Sequence, residues 1–440
     1  MVQEQNKLWT GLTVVVLVVL SILGGVIGLE LITSLGITAN TSVIGALFAM
    51  FIARVPARLF THFRSIHVQN LAQTAISSAT CGAANSLLLP IAVPWVMGRP
   101  DLVLPMLVGI GAALILDGYL LYRMFDTRVF PASNPWPLGV ASAGVIKAGD
   151  SGGRQSWLLL GGVGVGVFGA WGGIAMSAFG VAFLGNIWAL TCWGIGLLIN
   201  GYWTRLPFAL DFEYLVSNGS TTLGAQYVPH GFMIGAGIVA LFQVVMALKG
   251  KKDKNTAESR PRDNQIPIAL GIGGVGYLAI AVLLAVVTGL FSEMSTPMLI
   301  GFVLYAAFAA FVHELIVGIA AMHSGWFPAF AVALITMIIG MLLGFPPLAL
   351  GVLVAFSAAT GPAFADMGYD LKAGFILREG FSMEQELAGR KAQLIASMIA
   401  FVVAIVLVAV SYKTYFMANK FPPVAAHYAS TIKAGASAEI

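Results

Sequence analysis

The amino-acid sequence predicts an all-α polytopic membrane protein with about twelve transmembrane helices, plus re-entrant or broken segments. Three observations carry that prediction. Of 440 residues, 58% are hydrophobic and only 10% charged, whereas a soluble domain carries about 25% charged residues. Mean hydropathy is +0.90. Apolar runs of about 18 residues or more recur along the whole chain, each long enough to cross a hydrocarbon core about 30 Å thick. Alternating segments of about ten residues, the mark of a transmembrane barrel, are absent.

The predicted spans are 9–33, 41–60, 75–97, 102–124, 156–182, 186–203, 228–248, 268–291, 297–320, 326–345, 347–363 and 391–413. The first, within "LWTGLTVVVLVVLSILGGVIGLELI", is longer than the apolar region of a signal peptide and has no AxA-like site after it, so it reads as a retained span. Arg54, Arg58 and Arg64 follow the second span, and Arg123 and Arg128 follow the fourth. The stretch 249–263, "KGKKDKNTAESRPRD", holds six Lys and Arg. Cations of this kind mark cytoplasmic loops, which also places the N-terminus inside. The net charge of +4 is accounted for by such loops and does not point to nucleic acid. The chain divides into a bundle 1–248, a basic loop 249–267, a second bundle 268–413 and a tail 414–440.

Parity exposes a missing crossing. Span four and the basic loop share a side, so an even number of crossings must separate them, yet three are counted. The segment 205–230, with Asp211 and Glu213, is the preferred place for a broken crossing, since irregular backbone at membrane depth must be buried in protein or line water. The segment 130–149, "FPASNPWPLGVASAGVIKAG", is the other irregular piece. Pro131, Pro135 and Pro137 argue against a regular helix start, and a re-entrant hairpin fits. "SVIGALFAMF" (42–51) echoes "MLIGFVLYAA" (298–307), with Gly45 against Gly301, a weak sign of the internal repeats from which transporters are often built.

Polar residues inside apolar segments are the functional candidates. Asn70, Gln73, Thr74, Ser77 and Ser78 recur at helical spacing and form one stripe; it is either structural glue between helices or a wall of a substrate cavity. Gly361-Pro362 breaks an apolar run, and Asp366, Asp370 and Lys372 follow. They are either solvated loop charges or a buried network on an interrupted helix that lines a polar substrate cavity. His313 and Glu314 lie mid-span, with His323 near the end, and suit either a structural pair or proton coupling. Asp117, a third candidate for proton coupling, and Glu30 are further intramembrane acids. Adjacent His313 and Glu314 point about 100° apart, so no metal site is predicted, and no cofactor. "GVGVFG" (164–169) formally matches a dinucleotide fingerprint, but it lies within an apolar span, and small-residue helix packing explains it. Cys81 and Cys192 read as small core residues. No Walker A sequence or nucleophile–base arrangement stands out, so an ATP-driven pump and an enzyme are both disfavoured.

Three stretches together resemble the oligopeptide transporter superfamily, which includes the yellow-stripe-like metal-chelate transporters. "NLAQTAISSATCGAANSLLLPIAV" is similar to its Asn…Gln-Thr-x-x-Ser-Ala segment. "FPASNPWPLGVASAGVIKAG" is similar to its Phe-Pro…Lys-Ala-Gly segment, and "DMGYDLKAGFIL" to its Asp-x-x-x-Asp-x-Lys-x-Gly segment. Usual acids of the first two are replaced, by Ile66-His67-Val68-Gln69 and in the region of Asn134 and Trp136. The resemblance implies proton-driven uptake of small peptides or amino-acid-derived metal chelates across an inner membrane. A passive channel is the alternative class. Expected partners are a small-molecule or peptide substrate, protons and the lipid bilayer; a homo-oligomer stays open.

A cysteine placed at Lys252 should resist an impermeant thiol reagent in intact cells. Ready labelling from outside would invert the predicted topology.

Overall fold

In lipid, a backbone amide has no water to bond, so every spanning segment must satisfy its own polar groups. Helices do this, and they are what the apolar runs form. The computed structural model describes residues 9–35, 42–56, 58–151, 154–173, 262–325 and 328–437, with single positions at 195 and 242. The predicted spans 186–203 and 228–248, the proposed broken crossing at 205–230, Cys192 and nearly all of the basic loop lie outside the described residues. Among the described residues there is no strand, only one isolated bridge between Phe125 and Phe130.

The helices are α1 (Gly11–Leu35), α2 (Ser42–Arg54), α3 (Ile66–Cys81), α4 (Leu89–Val96), α5 (Val103–Met124), α6 (Pro137–Ser151), α7 (Arg154–Trp171), α8 (Gln265–Val287), α9 (Thr296–Ser324), α10 (Ala329–Leu342), α11 (Pro347–Ala359), α12 (Pro362–Leu377), α13 (Met383–Met417) and α14 (Pro423–Ser437). Seven helical runs among the described residues are long and apolar enough to cross a membrane. A helix stands at each of the ten predicted spans that fall on described residues.

Two runs form the centre. Ile66–Val96 is buried over its whole apolar window, and Pro347–Leu377 over 94% of it, against 33% for both α8 and α13. Both central runs are interrupted midway. Between α3 and α4 the chain takes a π-helical course over Gly82–Leu88, a form common at functional sites. Between α11 and α12 the helix breaks at Thr360, which is extended, and Gly361, at φ +96°. Only glycine takes that backbone readily. Pro362 then restarts the helix, because its fixed φ suits the first helical position. The sequence places the end of a span here; the chain instead resumes helix at once, and Asp366, Asp370 and Lys372 are all buried on α12.

Close approach around the central runs depends on small residues. Gly24 and Gly28 of α1 lie against the α3 backbone at Ile76 and Thr80, and Gly45 of α2 lies against Gln73. Gly301, its partner in the sequence echo, touches nothing among the described residues. The echo therefore does not join equivalent positions. A different correspondence appears in the packing. The short helix α2 packs on α3, as the short α10 packs on α11; the terminal α6 packs on α12, as the terminal α14 packs on α4. Each half has a short helix, an interrupted central run, a long helix and a second short helix.

Three further expectations change. Pro137 is the first residue of α6 rather than an obstacle to it, since a missing N–H costs nothing there. The segment 130–149 is accordingly a half-buried loop followed by one helix, not a hairpin. Residues 423–437 form a packed helix rather than a tail, with Val424, Ala425 and Tyr428 buried. No described residue packs against Gly164 or Gly166 of α7, so the expected close packing there is not seen.

Gly361→Ala should lower thermal stability in detergent by about 1–3 kcal/mol, because it forces a left-handed residue against Val317. Gly301→Ala should be neutral or stabilising by up to about 1 kcal/mol, as an exposed mid-helix glycine. Equal melting of the two variants would remove the backbone argument.

Candidate functional site

The polar stripe of α3 meets two other helices. Gln73 Nε2 donates to Asp370 Oδ1 at 2.5 Å, and Asn70 Nδ2 donates to Gln73 Oε1 at 3.0 Å. Ser77 Oγ donates to Asp366 Oδ1 at 2.8 Å. Ser78 Oγ lies 3.3 Å from Asp370 Oδ2 and 2.9 Å from Ser397 Oγ. Gln393 Nε2 reaches both the Asp370 carbonyl at 2.6 Å and Thr74 Oγ1 at 3.2 Å. All of these residues are buried. The structure thus brings together seven of the predicted substrate residues, Asn70, Gln73, Thr74, Ser77, Ser78, Asp366 and Asp370. Two carboxyl groups face amide and hydroxyl donors; both Asp370 oxygens are engaged, while Asp366 Oδ2 takes no hydrogen bond.

Lys372 does not join that cluster. Its Nζ donates to the carbonyls of Ala132 at 2.7 Å and Asn134 at 3.0 Å. The predicted three-charge network is therefore two aspartates plus a lysine that serves another element. On α12, Lys372 sits two residues past Asp370, so the two side chains diverge by about 200°. Its role is to hold the irregular backbone of residues 125–136. That loop carries two non-glycine residues at positive φ, Asp126 at 64° and Trp136 at 40°. Trp136 is fully buried against Gly368, and its backbone N–H reaches the Met322 carbonyl at 2.9 Å.

A chain of ion pairs continues from the cluster to the basic end of the molecule. Arg378 donates to Gln393 Oε1 at 2.9 Å and to Glu386 Oε2 at 2.6 Å. Arg390 pairs with the other Glu386 oxygen at 2.8 Å and with Asp126 at 3.0 Å, and its guanidinium lies 5.0 Å from the Phe125 ring centroid. Beyond it opens a cavity of about 380 Å³, lined in part by Phe375, Phe381 and Met383. Arg262 donates to the Tyr122 and Arg123 carbonyls, so the end of α5 and the start of α8 share this end. Sequence reasoning missed Glu386, Arg390, Gln393 and Ser397. The signal was present, since these four recur at i, i+4, i+7 and i+11, the same rule that revealed the stripe on α3.

A second cluster surrounds the break. Asp117 of α5 accepts the Gly361 N–H at 2.7 Å and the Tyr277 hydroxyl at 2.5 Å. His313 Nε2 lies 3.0 Å from the Ala329 carbonyl, which makes it the donor; Nδ1, 3.3 Å from Thr360 Oγ1, accepts in a neutral ring. Both imidazole nitrogens are thus engaged in holding the break and the start of α10. Glu314 is fully buried beside Tyr277 and Asp117; the Tyr277 hydroxyl is its neighbouring donor, and the one proton of that hydroxyl is already engaged by Asp117. The break cluster brings together three predicted coupling residues, and Tyr277 was not foreseen. Glu30 lies elsewhere, exposed, accepting from Tyr415 at 3.0 Å. Among the described residues no group of three His, Cys, Asp or Glu is placed to hold a metal.

A family model described as OPT oligopeptide transporter protein matches residues 8–223 and 172–439. The chain belongs to the oligopeptide transporter family. Membership makes it a multi-pass membrane transporter of oligopeptides or related substrates, from a family of transporters rather than of enzymes. No curated protein and no solved structure gave a match. Within this oligopeptide transporter, the three resembling segments fall on α3 with the π-helical turn and α4 that follow it, on the loop before α6 with α6 itself, and on α12.

Glu386→Gln should cost about 3–5 kcal/mol, because it leaves the buried Arg378 guanidinium with no carboxylate, whereas Arg378→Met should cost less, because Glu386 keeps its pair with Arg390. Their double variant should recover at least about 1 kcal/mol of the summed loss. Asp370→Asn with Lys372→Met should show smaller coupling in the same unfolding cycle, since they bond to different partners.

Proposed function

We propose that this protein is a proton-coupled secondary transporter that imports small peptides or amino-acid-derived compounds across an inner membrane. The substrate region is the cluster of Asn70, Gln73, Thr74, Ser77, Ser78, Asp366 and Asp370, with Gln393 and Ser397 added from α13. Lys372 keeps the neighbouring loop in place and acts on substrate through it. Amide, hydroxyl and carboxylate groups together suit a ligand that both donates and accepts hydrogen bonds. Metal chelates remain the alternative cargo, and the family membership accommodates both.

The observation that carries the coupling reading is the pairing of two different carboxyl environments at the helix break. Asp117 is committed to two donors, one of them the backbone of the break. Glu314 has only the Tyr277 hydroxyl beside it, whose proton goes to Asp117. A buried carboxyl without a donor of its own pays heavily for charge, so it is ionised only when a cation or donor accompanies it. In this reading a proton on Glu314 and the state of the break change together, with Asp117 and His313 as the groups that hold the break. The buried, mutually bonded polar cluster favours an occluded carrier over a passive channel, which needs a continuous wet path. The ion-pair chain from Arg378 to Asp126 closes the cluster on its basic side. That side is cytoplasmic in this reading, with the two bundles, 1–248 and 268–413, joined by the basic loop 249–267.

Uptake into proteoliposomes with and without a pH gradient tests the proposal. Glu314→Gln keeps shape but cannot titrate; it should abolish gradient-driven accumulation while exchange of substrate survives. Unchanged accumulation in this variant would remove Glu314 from the mechanism and turn attention to Asp117.

A further inference from the structure

A second cavity, of about 340 Å³, lies at the basic end among α2, α3 and α6, apart from both clusters described above. Its lining includes Met50, Ala53, Arg54, Arg64, Gln69 and Asp150. Arg54 donates to the Gly149 carbonyl at 2.5 Å, which ties the last turn of α2 to the last turn of α6. Among the described residues the Arg54 guanidinium has no other hydrogen bond, and that of Arg64 has none. Two guanidinium groups and one carboxylate leave the lining with a net charge of +1. That matches a singly charged phosphodiester better than a zwitterion or a dianion.

The cavity also offers acceptors. Gln69 is buried at 3% exposure; its Nε2 donates to the Arg64 carbonyl at 3.3 Å, and its Oε1 takes no hydrogen bond. Asp150 adds two more acceptor oxygens. A ligand that fits both features carries one phosphodiester charge and hydroxyl donors. The rim supplies the third feature. Phe51 lies one helical turn before Arg54, on the same face, and is 48% exposed; Val55, just past the helix, is 39% exposed. Apolar side chains left uncovered next to guanidinium groups, at the end of an apolar helix, fit an amphiphile better than a soluble anion. Basic pockets between transmembrane helices are a recurring way to hold lipid headgroups.

We propose that this cavity binds the headgroup of an anionic, hydroxyl-bearing phospholipid of the phosphatidylglycerol type. Arg54 and Arg64 hold the phosphodiester, Gln69 and Asp150 accept from the glycerol hydroxyls, and an acyl chain runs along Phe51 and Val55. The site clamps α2 to α6, the two short helices that flank the central runs. It does not depend on which substrate the protein carries or on what drives transport.

Native mass spectrometry of the full chain in detergent tests it, with phosphatidylglycerol, phosphatidylethanolamine and soluble glycerol phosphate as probes. Wild-type protein should retain phosphatidylglycerol in preference to phosphatidylethanolamine, and glycerol phosphate at the same concentration should not displace it. Arg54→Gln and Arg64→Gln should each weaken retention about fivefold, the share of one basic group facing an anionic headgroup. Gln69→Leu should narrow the preference between the two lipids. Equal retention of both lipids by wild type, or unchanged retention in the double arginine variant, would overturn the site. Ready displacement by glycerol phosphate would overturn the lipid assignment and leave a soluble-phosphate site. The wild-type lipid comparison needs no variant, so a misfolded substitution cannot decide the outcome.

Discussion

The interruption at Thr360 and Gly361 is the constraint around which the rest of the molecule is arranged. A helix that stops at membrane depth exposes backbone groups that lipid cannot satisfy. Here side chains from other elements hold the break. Asp117 from α5 takes the Gly361 amide, while His313 from α9 bonds Thr360 and the start of α10. Tyr277 from α8 occupies the second Asp117 oxygen. Four helices are therefore fixed relative to one broken one by hydrogen bonds rather than by apolar packing, which lipid tails would equally provide.

The same requirement explains the basic residues in the interior. The loop between α5 and α6 is irregular backbone within a bundle, and two cations hold it, Arg390 at Phe125 and Asp126 and Lys372 at Ala132 and Asn134. Each cation comes from a helix that also supports the polar cluster on α3, α13 through Gln393 and α12 through Asp370. Movement of α12 or α13 thus cannot leave the loop unaffected, and a rearrangement of the polar cluster would reach the basic end through bonded neighbours.

Much of this was legible in the sequence because lipid leaves few solutions. Apolar length marked the helices, and the stripe on α3 and the acids after Gly361 marked the centre. What could not be read were partners. Asp366 and Asp370 suggested a charge network with Lys372, since three charges within seven residues look like neighbours. On a helix they diverge, and the true partners of the aspartates lie about 290 to 300 positions away in the chain. The four polar residues on α13 were overlooked for a different reason. The run 391–413 is so apolar that its hydropathy describes it well, and the stripe begins before the run does. The half-length helices were hidden too, because Pro137 and Pro362 break a pattern in sequence but start a helix in space.

One feature at the surface governs this interior. Helix α13 opens with Ser382, whose hydroxyl accepts from the Gln385 amide while the Gln385 side chain accepts from the Ser382 amide. This reciprocal cap fixes where the helix begins. Because each residue of slippage would turn the helix by about 100°, the cap also sets the angular phase of Glu386, Arg390, Gln393 and Ser397. An exposed serine acts as the index mark that points four buried side chains at the centre of the protein.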